Sequence, residues 1–161
     1  MENNTVRVMD LLALEPKFIL DSPDELTEED LVCYIATLKE IARIHGVSIE
    51  QTKFSEYIIN SLGVSQDIIE NADRLITEEA MSMGELVSRI KEPWYRVCLL
   101  RDAYIMAMLD DEVDHVEWLA LQRLAGTLGL SRRLEKKVMN LVDDMVKIQK
   151  DFEKLIEETC R

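Results

Sequence analysis

The chain is poor in the residues that punctuate β-rich folds. Five glycines and three prolines in 161 residues are too few for the repeated tight turns of a sandwich or barrel. Cysteine is scarce too: Cys33, Cys98 and Cys160 lie far apart with no CxxC pair. That spacing indicates neither a disulfide framework nor a thiolate zinc site. Basic residues are outnumbered, with 19 lysines and arginines against 32 aspartates and glutamates and a net charge of −13. Such an excess disfavours nucleic acid and anionic membrane faces as partners, and suits cations, basic partners or plain solubility. No uncharged run approaches the roughly 18 residues of a spanning helix. The opening MENNTVRVMDLLALEPKF lacks the form of a secretory signal, because Asp10 and Glu15 interrupt its short apolar run. A cytosolic protein with no direct membrane insertion is therefore expected. Glycine-rich phosphate loops, an HExxH pair and a Ser-His-Asp set are also missing, so no catalytic residues are assigned and a non-enzyme is expected.

What is present is helical periodicity, in a length that fits one domain. From Leu134 onward, Val138, Leu141, Val142, Met145, Ile148, Phe152 and Leu155 recur every three or four residues, the stripe of one long amphipathic helix. Thr27 to Ile44 carries Leu31, Ile35, Leu38, Ile41 and Ala42 on one face. Pro93 suits the first turn of a mostly apolar helix running to Leu109. Further helices are expected at about 49–62, 65–75, 80–90 and 114–128, with no convincing strand pattern. Residues 1–26 offer a short amphipathic helix, Val6 to Leu14, and an irregular arm; residues 27–161 form the helical domain.

The domain carries an internal repeat. At an offset of 65, Val32-Cys33 matches Val97-Cys98, Ala42 matches Ala107 and Ile44 matches Leu109; at 66, Val47 matches Val113, LGVS (62–65) matches LGLS (128–131) and Leu75 matches Leu141. Gly63 and Gly129 suit the left-handed position after a helix end, and Ser65 and Ser131 the N-caps that follow. Ser48 with Gln51, and Asp114 with Glu117, are capping pairs at equivalent positions. The reading is two pseudo-symmetric halves, about 27–90 and 91–161, stacked as one all-α bundle.

LLRDAYIMAMLDDEVDHVEWLALQRLAGTLGLS, Leu99 to Ser131, resembles the TerB-like tellurite-resistance family. That family pairs an alanine-rich helix with an acidic loop and a helix ending in L-G-[hydrophobic]-S. The first half follows the pattern more loosely, through IARIHGVSIEQTKFSEYIINSLGVS. The resemblance implies an all-α domain of about seven helices in a cytoplasmic bacterial protein of a metal and chemical stress response. It further implies weak cation binding through an acidic loop and work alongside a TerC-type membrane protein or another stress-response protein. Its loop signature falls on Asp110, Asp114 and Glu117. Asp111 stands where the family has glycine, and His45, Ser48 and Gln51 replace the acids in the first half.

The acidic loop is the leading site. Asp110, Asp111, Glu112, Asp114 and Glu117 put five acids into eight positions, with no lysine or arginine between Arg101 and Arg123. Two readings stand side by side. Asp114 and Glu117 cap the following helix while the other acids face solvent. Alternatively, the five carboxylates hold a hard divalent cation, Ca²⁺, Mg²⁺ or Mn²⁺. An EF-hand is excluded, since His115 replaces its glycine and Leu121 its terminal acid. A di-iron site is disfavoured: Glu112-x-x-His115 is a single copy of an element that such bundles need twice.

Other chemistry-bearing residues read as structural. Cys33 and Cys98 are expected in the core, Trp94 and Trp118 as packing anchors, and the methionines as core filling. Cys160 is a free thiol in the tail. The long C-terminal stripe either packs on the chain's own N-terminal arm or offers an apolar face to another helix. Hence the alternative to a cation-binding module is a protein-interaction module that docks a basic or membrane-anchored partner. A homodimer is left open.

Overall fold

A computed structural model of the chain describes residues 27–44, 56–60, 63–108 and 115–159. Seven helical segments and no strand occur among them, as the periodicity predicts. They are α1 (Glu28–Ile44), α2 (56–60), α3 (Gln66–Thr77), α4 (Met83–Arg89), α5 (Pro93–Met108), α6 (His115–Thr127) and α7 (Arg132–Thr159). None of the described helices is long and apolar enough to cross a membrane.

α1 is the central element, packed against α3, α4 and α5. Its start is fixed by Thr27, whose Oγ1 accepts from the backbone N–H of Asp30 at 3.1 Å and donates to the Asp30 carboxylate at 2.6 Å. Glu28, Glu29 and Asp30 follow in the first turn and Arg43 in the last, both favourable to the helix dipole. The sequence predicts one apolar face, but the helix is buried nearly all round: Val32, Cys33, Tyr34, Ile35, Ala36 and Leu38 are all core. Neighbours on three sides explain the difference, because they leave the middle of the helix, 32–38, without a solvent face.

α5 is the second organising helix. It opens at Pro93, whose missing N–H costs nothing in a first turn, and packs against α1, α6 and α7. Leu99, Leu100, Ala103 and Met106 are fully enclosed. Arg96 clamps its surroundings, donating to the carbonyl of Ile90 at 2.7 and 3.1 Å and to that of Leu128 at 3.4 Å. Those carbonyls terminate α4 and follow α6, so one guanidinium holds two chain reversals beside α5.

Both expected glycine turns are present. Gly63 has φ +60° and Gly129 has φ +68°, and the Gly129 N–H donates to the carbonyl of Gly126 at 3.1 Å. A Cβ at Gly129 would meet nothing closer than the Arg96 guanidinium at 3.9 Å. Gly129→Ala is therefore expected to lose only about 1 kcal/mol, the conformational cost of a left-handed alanine, in a denaturant titration. Ser131 accepts from the Leu134 N–H at 3.3 Å, whereas Ser65 makes no side-chain cap bond.

Several local expectations are corrected. The helix expected over about 80–90 spans Met83–Arg89, because Ser82 and Glu85 form a capping box at its start and Ala80 precedes it with φ 49°. Trp94 meets the ring of Tyr95 edge-on at 4.9 Å, but Trp118 is 38% exposed and is no core anchor. Leu141, the repeat counterpart of buried Leu75, is 63% exposed. It lies on the side of α7 turned away from the core residues Val138, Met139 and Val142. Met106 and Met139 fill the core as expected.

Candidate functional site

α5 ends at Met108 and α6 begins at His115, so the acidic segment joins these two helices. Asp110, Asp111, Glu112 and Asp114 lie outside the described residues. Glu117 sits in the first turn of α6, but its side chain is not among those described. Asp114 immediately precedes the helix, the position from which an N-cap acts. His115 is exposed at the helix start, as expected of a surface residue. Among the described residues, no three His, Cys, Asp or Glu side chains are grouped closely enough to hold a metal ion.

The constellation that the sequence reading missed lies between α1 and α5. Asp102 is 1% exposed, and apart from its neighbour Arg101 it is the one charged residue in the mostly apolar run VCLLRDAYIMAM (97–108). Tyr34 donates its hydroxyl to Asp102 Oδ2, and Arg101 donates to Oδ1 from Nε at 2.6 Å and again from Nη2. Arg101 keeps a quarter of its side chain in solvent. Burial pushes the Asp102 carboxyl above its ordinary range, while Arg101 and the bonds from Tyr34 and Arg101 pull it down. Burial acts most strongly against the Arg101 charge, but Asp102, Tyr34 and Cys98 together outweigh it, leaving the guanidinium more firmly protonated than usual. Tyr34 is held well above the ordinary phenol range, first by burial and then by Asp102. Its ring stacks on Tyr95 at 4.6 Å and 30°. A lone acid inside an apolar helical run is the signal that would have found this group, since such an acid needs buried partners.

The acid of this cluster accepts one hydrogen bond from Tyr34 and two from Arg101, and the tyrosine is held protonated. Cys33 is buried as expected and Cys98 is half-buried; burial lifts both thiols to about 11, away from the thiolate that nucleophilic chemistry needs. Burial first, then the bond to Asp143 at 3.0 Å, raises Tyr104 to about 12. All these groups keep protons in the folded chain that the unfolded chain releases. The folded state then binds more protons than the unfolded one above about pH 9, and stability falls as pH rises. Denaturant midpoints are expected to be highest below pH 9 and to decline steadily from pH 9 to 11, which a pH series of urea titrations reads directly.

A cleft of about 620 Å³ opens between α1, α2 and α3. Ala42, Ile59, Ile69 and Ile76 give it an apolar floor, and Lys39 pairs with Asp73 at 2.6 Å on its rim. Its volume falls in the range of small-molecule sites. Its lysine, though, is already neutralised by the aspartate, and no histidine or cysteine lines it among the described residues.

The least protected surface belongs to α7. Val146 is the last described residue of that helix packed on the core. Beyond it Ile148, Phe152, Leu155 and Ile156 are 54, 56, 58 and 47% exposed. On α6, Val116 and Leu119 are also exposed, at 63 and 39%. No protein-family model, curated protein or solved structure matches the chain.

Proposed function

We propose that the chain is a non-catalytic interaction module, built as a TerB-like pair of pseudo-symmetric helical halves and working in a cytoplasmic stress response. The observation that carries the interaction is the run of half-exposed Ile148, Phe152, Leu155 and Ile156 along one helix. Side chains of this size rarely stay open to water in a contiguous row unless another surface covers them. The α1–α3 and α5–α7 pairings, in equivalent places of the two halves, support the pseudo-symmetric arrangement. Catalysis is disfavoured by the character of the buried Tyr34–Arg101–Asp102 cluster, whose groups are engaged with one another.

A Phe152→Glu/Leu155→Glu double variant tests this reading. Both positions are exposed, so the melting temperature should hold while capture of partner protein from lysate is lost. Unchanged capture would show that α7 is not the docking face.

A second reading concerns the acidic segment, and its charge favours it: Asp110, Asp111, Glu112, Asp114 and Glu117 stand with no lysine or arginine between Arg101 and Arg123. On this reading the five carboxylates are the ligands of a weak divalent-cation site. Calcium or manganese at millimolar concentration is then expected to raise the melting temperature of wild type and not of Asp114→Asn, since asparagine caps equally well but brings no charge. No shift in wild type would dismiss the site.

A further inference from the structure

We infer that the docking face of α7 takes an amphipathic helix of another protein that carries lysine or arginine along the flank of its apolar seam. The inference rests on α7 being a docking face and adds the chemistry of what docks. Three observations lead to it.

The spacing of the apolar residues selects a helix. Leu134, Val138, Leu141, Met145, Ile148, Phe152 and Leu155 alternate steps of four and three without interruption. That is the 3.5-residue period of a helix that pairs with another helix along its length. A helix that only lies on a globular core needs no such strict register, and here the register continues after the core has ended at Val146. The exposed part, Leu141 to Ile156, is about 23 Å long at 1.5 Å per residue. It matches about two heptads of a partner helix.

The projecting segment also calls for a cover. Thirteen residues of α7, Lys147 to Thr159, lie past the last core contact. A helix of that length is marginal in water when nothing packs on it. Its apolar side chains lose the most on exposure and gain the most from a partner, since each fully covered Leu, Ile or Phe contributes about 1.5–3 kcal/mol.

Charge then identifies the kind of helix. Asp144, Asp151 and Glu158 are exposed and stand seven residues apart, directly beside the Leu141–Ile148–Leu155 row. They occupy the flanking position whose charge sets partner choice in paired helices. Lys147 and Lys154 lie one row further from the seam, where a partner reaches them less. An acidic flank repels its like, and a net charge of −13 adds to the repulsion between two copies of the chain. Lysines or arginines flanking the partner's seam would meet the three acids in register, and a basic protein would be drawn to the acidic chain from a distance.

Synthetic peptides of about two heptads provide the test. One has leucine at the seam and lysine on both flanks; a second has glutamate on the flanks; a third keeps the lysines and replaces the seam by serine. Fluorescence anisotropy with the full chain at physiological salt is expected to show the lysine-flanked peptide binding at least about tenfold tighter than either control. Asp144→Lys/Asp151→Lys/Glu158→Lys is expected to reverse the preference in favour of the glutamate-flanked peptide. Phe152→Ser/Leu155→Ser should abolish binding of all three. Equal binding of the lysine- and glutamate-flanked peptides overturns the assigned chemistry while leaving α7 a docking face. Equal binding of the seamless lysine peptide overturns the inference by reducing it to bulk attraction, and no binding of any peptide overturns a helical partner altogether.

Two further outcomes name other occupants. A light-scattering mass of twice 18.6 kDa that the Phe152→Ser/Leu155→Ser variant halves makes a second copy the occupant and overturns the inference. A Leu11→Asp/Leu14→Asp variant that binds the lysine-flanked peptide about tenfold more tightly makes the chain's own N-terminal segment the occupant, with the same consequence.

Discussion

Asp102→Ala is expected to destabilise the fold by about 3–5 kcal/mol and to lower the melting temperature by roughly 6–20 °C. The carboxylate is fully enclosed and receives one donor from α1 and two from its own neighbour Arg101. Removing it leaves a guanidinium that is three-quarters buried with no counter-charge, and a tyrosine hydroxyl with no acceptor. Both keep their desolvation cost and lose what offset it. Replacing the whole group at once should be far milder. In Tyr34→Phe/Arg101→Met/Asp102→Leu no polar atom is left stranded, and the expected loss is below that of Asp102→Ala alone. Urea titrations of the two variants decide the matter. A loss under about 1 kcal/mol for Asp102→Ala would mean that the α1–α5 contact is not the closed network described.

The second large effect separates core from surface among residues of the same type. Leu38 is fully buried on α1, and Leu38→Ala is expected to cost about 2–5 kcal/mol, the loss of buried methyl groups plus the cavity they leave. Leu155 is 58% exposed on α7, and Leu155→Ala is expected to change stability by no more than about 0.5 kcal/mol. Sequence periodicity gives both positions the same apolar standing. A Leu155→Ala loss comparable to that of Leu38→Ala would place the end of α7 in the core and remove the basis for a docking face.

The two leucines also show what could be read from the chain before its structure. Periodicity located the helices, because an apolar residue every three or four positions has few other uses, and Pro93, Gly63 and Gly129 marked boundaries through their own backbone restrictions. Periodicity could not say where the core ends along α7. The stripe runs unbroken past the last core contact at Val146, and only the arrangement of the other helices makes Val142 buried and Ile148 exposed. α1 failed the same way in reverse, for its one expected face became an enclosed helix once three neighbours surrounded it. The acidic loop drew attention by charge density, but density carries no geometry, and its four acids from Asp110 to Asp114 fall outside the described residues. The Tyr34–Arg101–Asp102 group has no local signature at all on the tyrosine side. Tyr34 and Asp102 are 68 positions apart, and no short-range pattern connects them.

The same separation governs how the halves relate in folding. Tyr34 finds its acceptor in Asp102, and Asp30, in the first turn of α1, also accepts from the backbone N–H of Lys91 at 3.1 Å. Both bonds cross the boundary near residue 90 between the halves proposed from the repeat. Repeat arrays of the open kind add up their units, so that one unit can melt while its neighbour stands. Here α1 leaves buried polar atoms that only the later half completes. Residues 27–90 made alone would open Tyr34 and Asp30 to water and lose their partners in Asp102 and Lys91, so the two proposed halves are expected to unfold in a single transition.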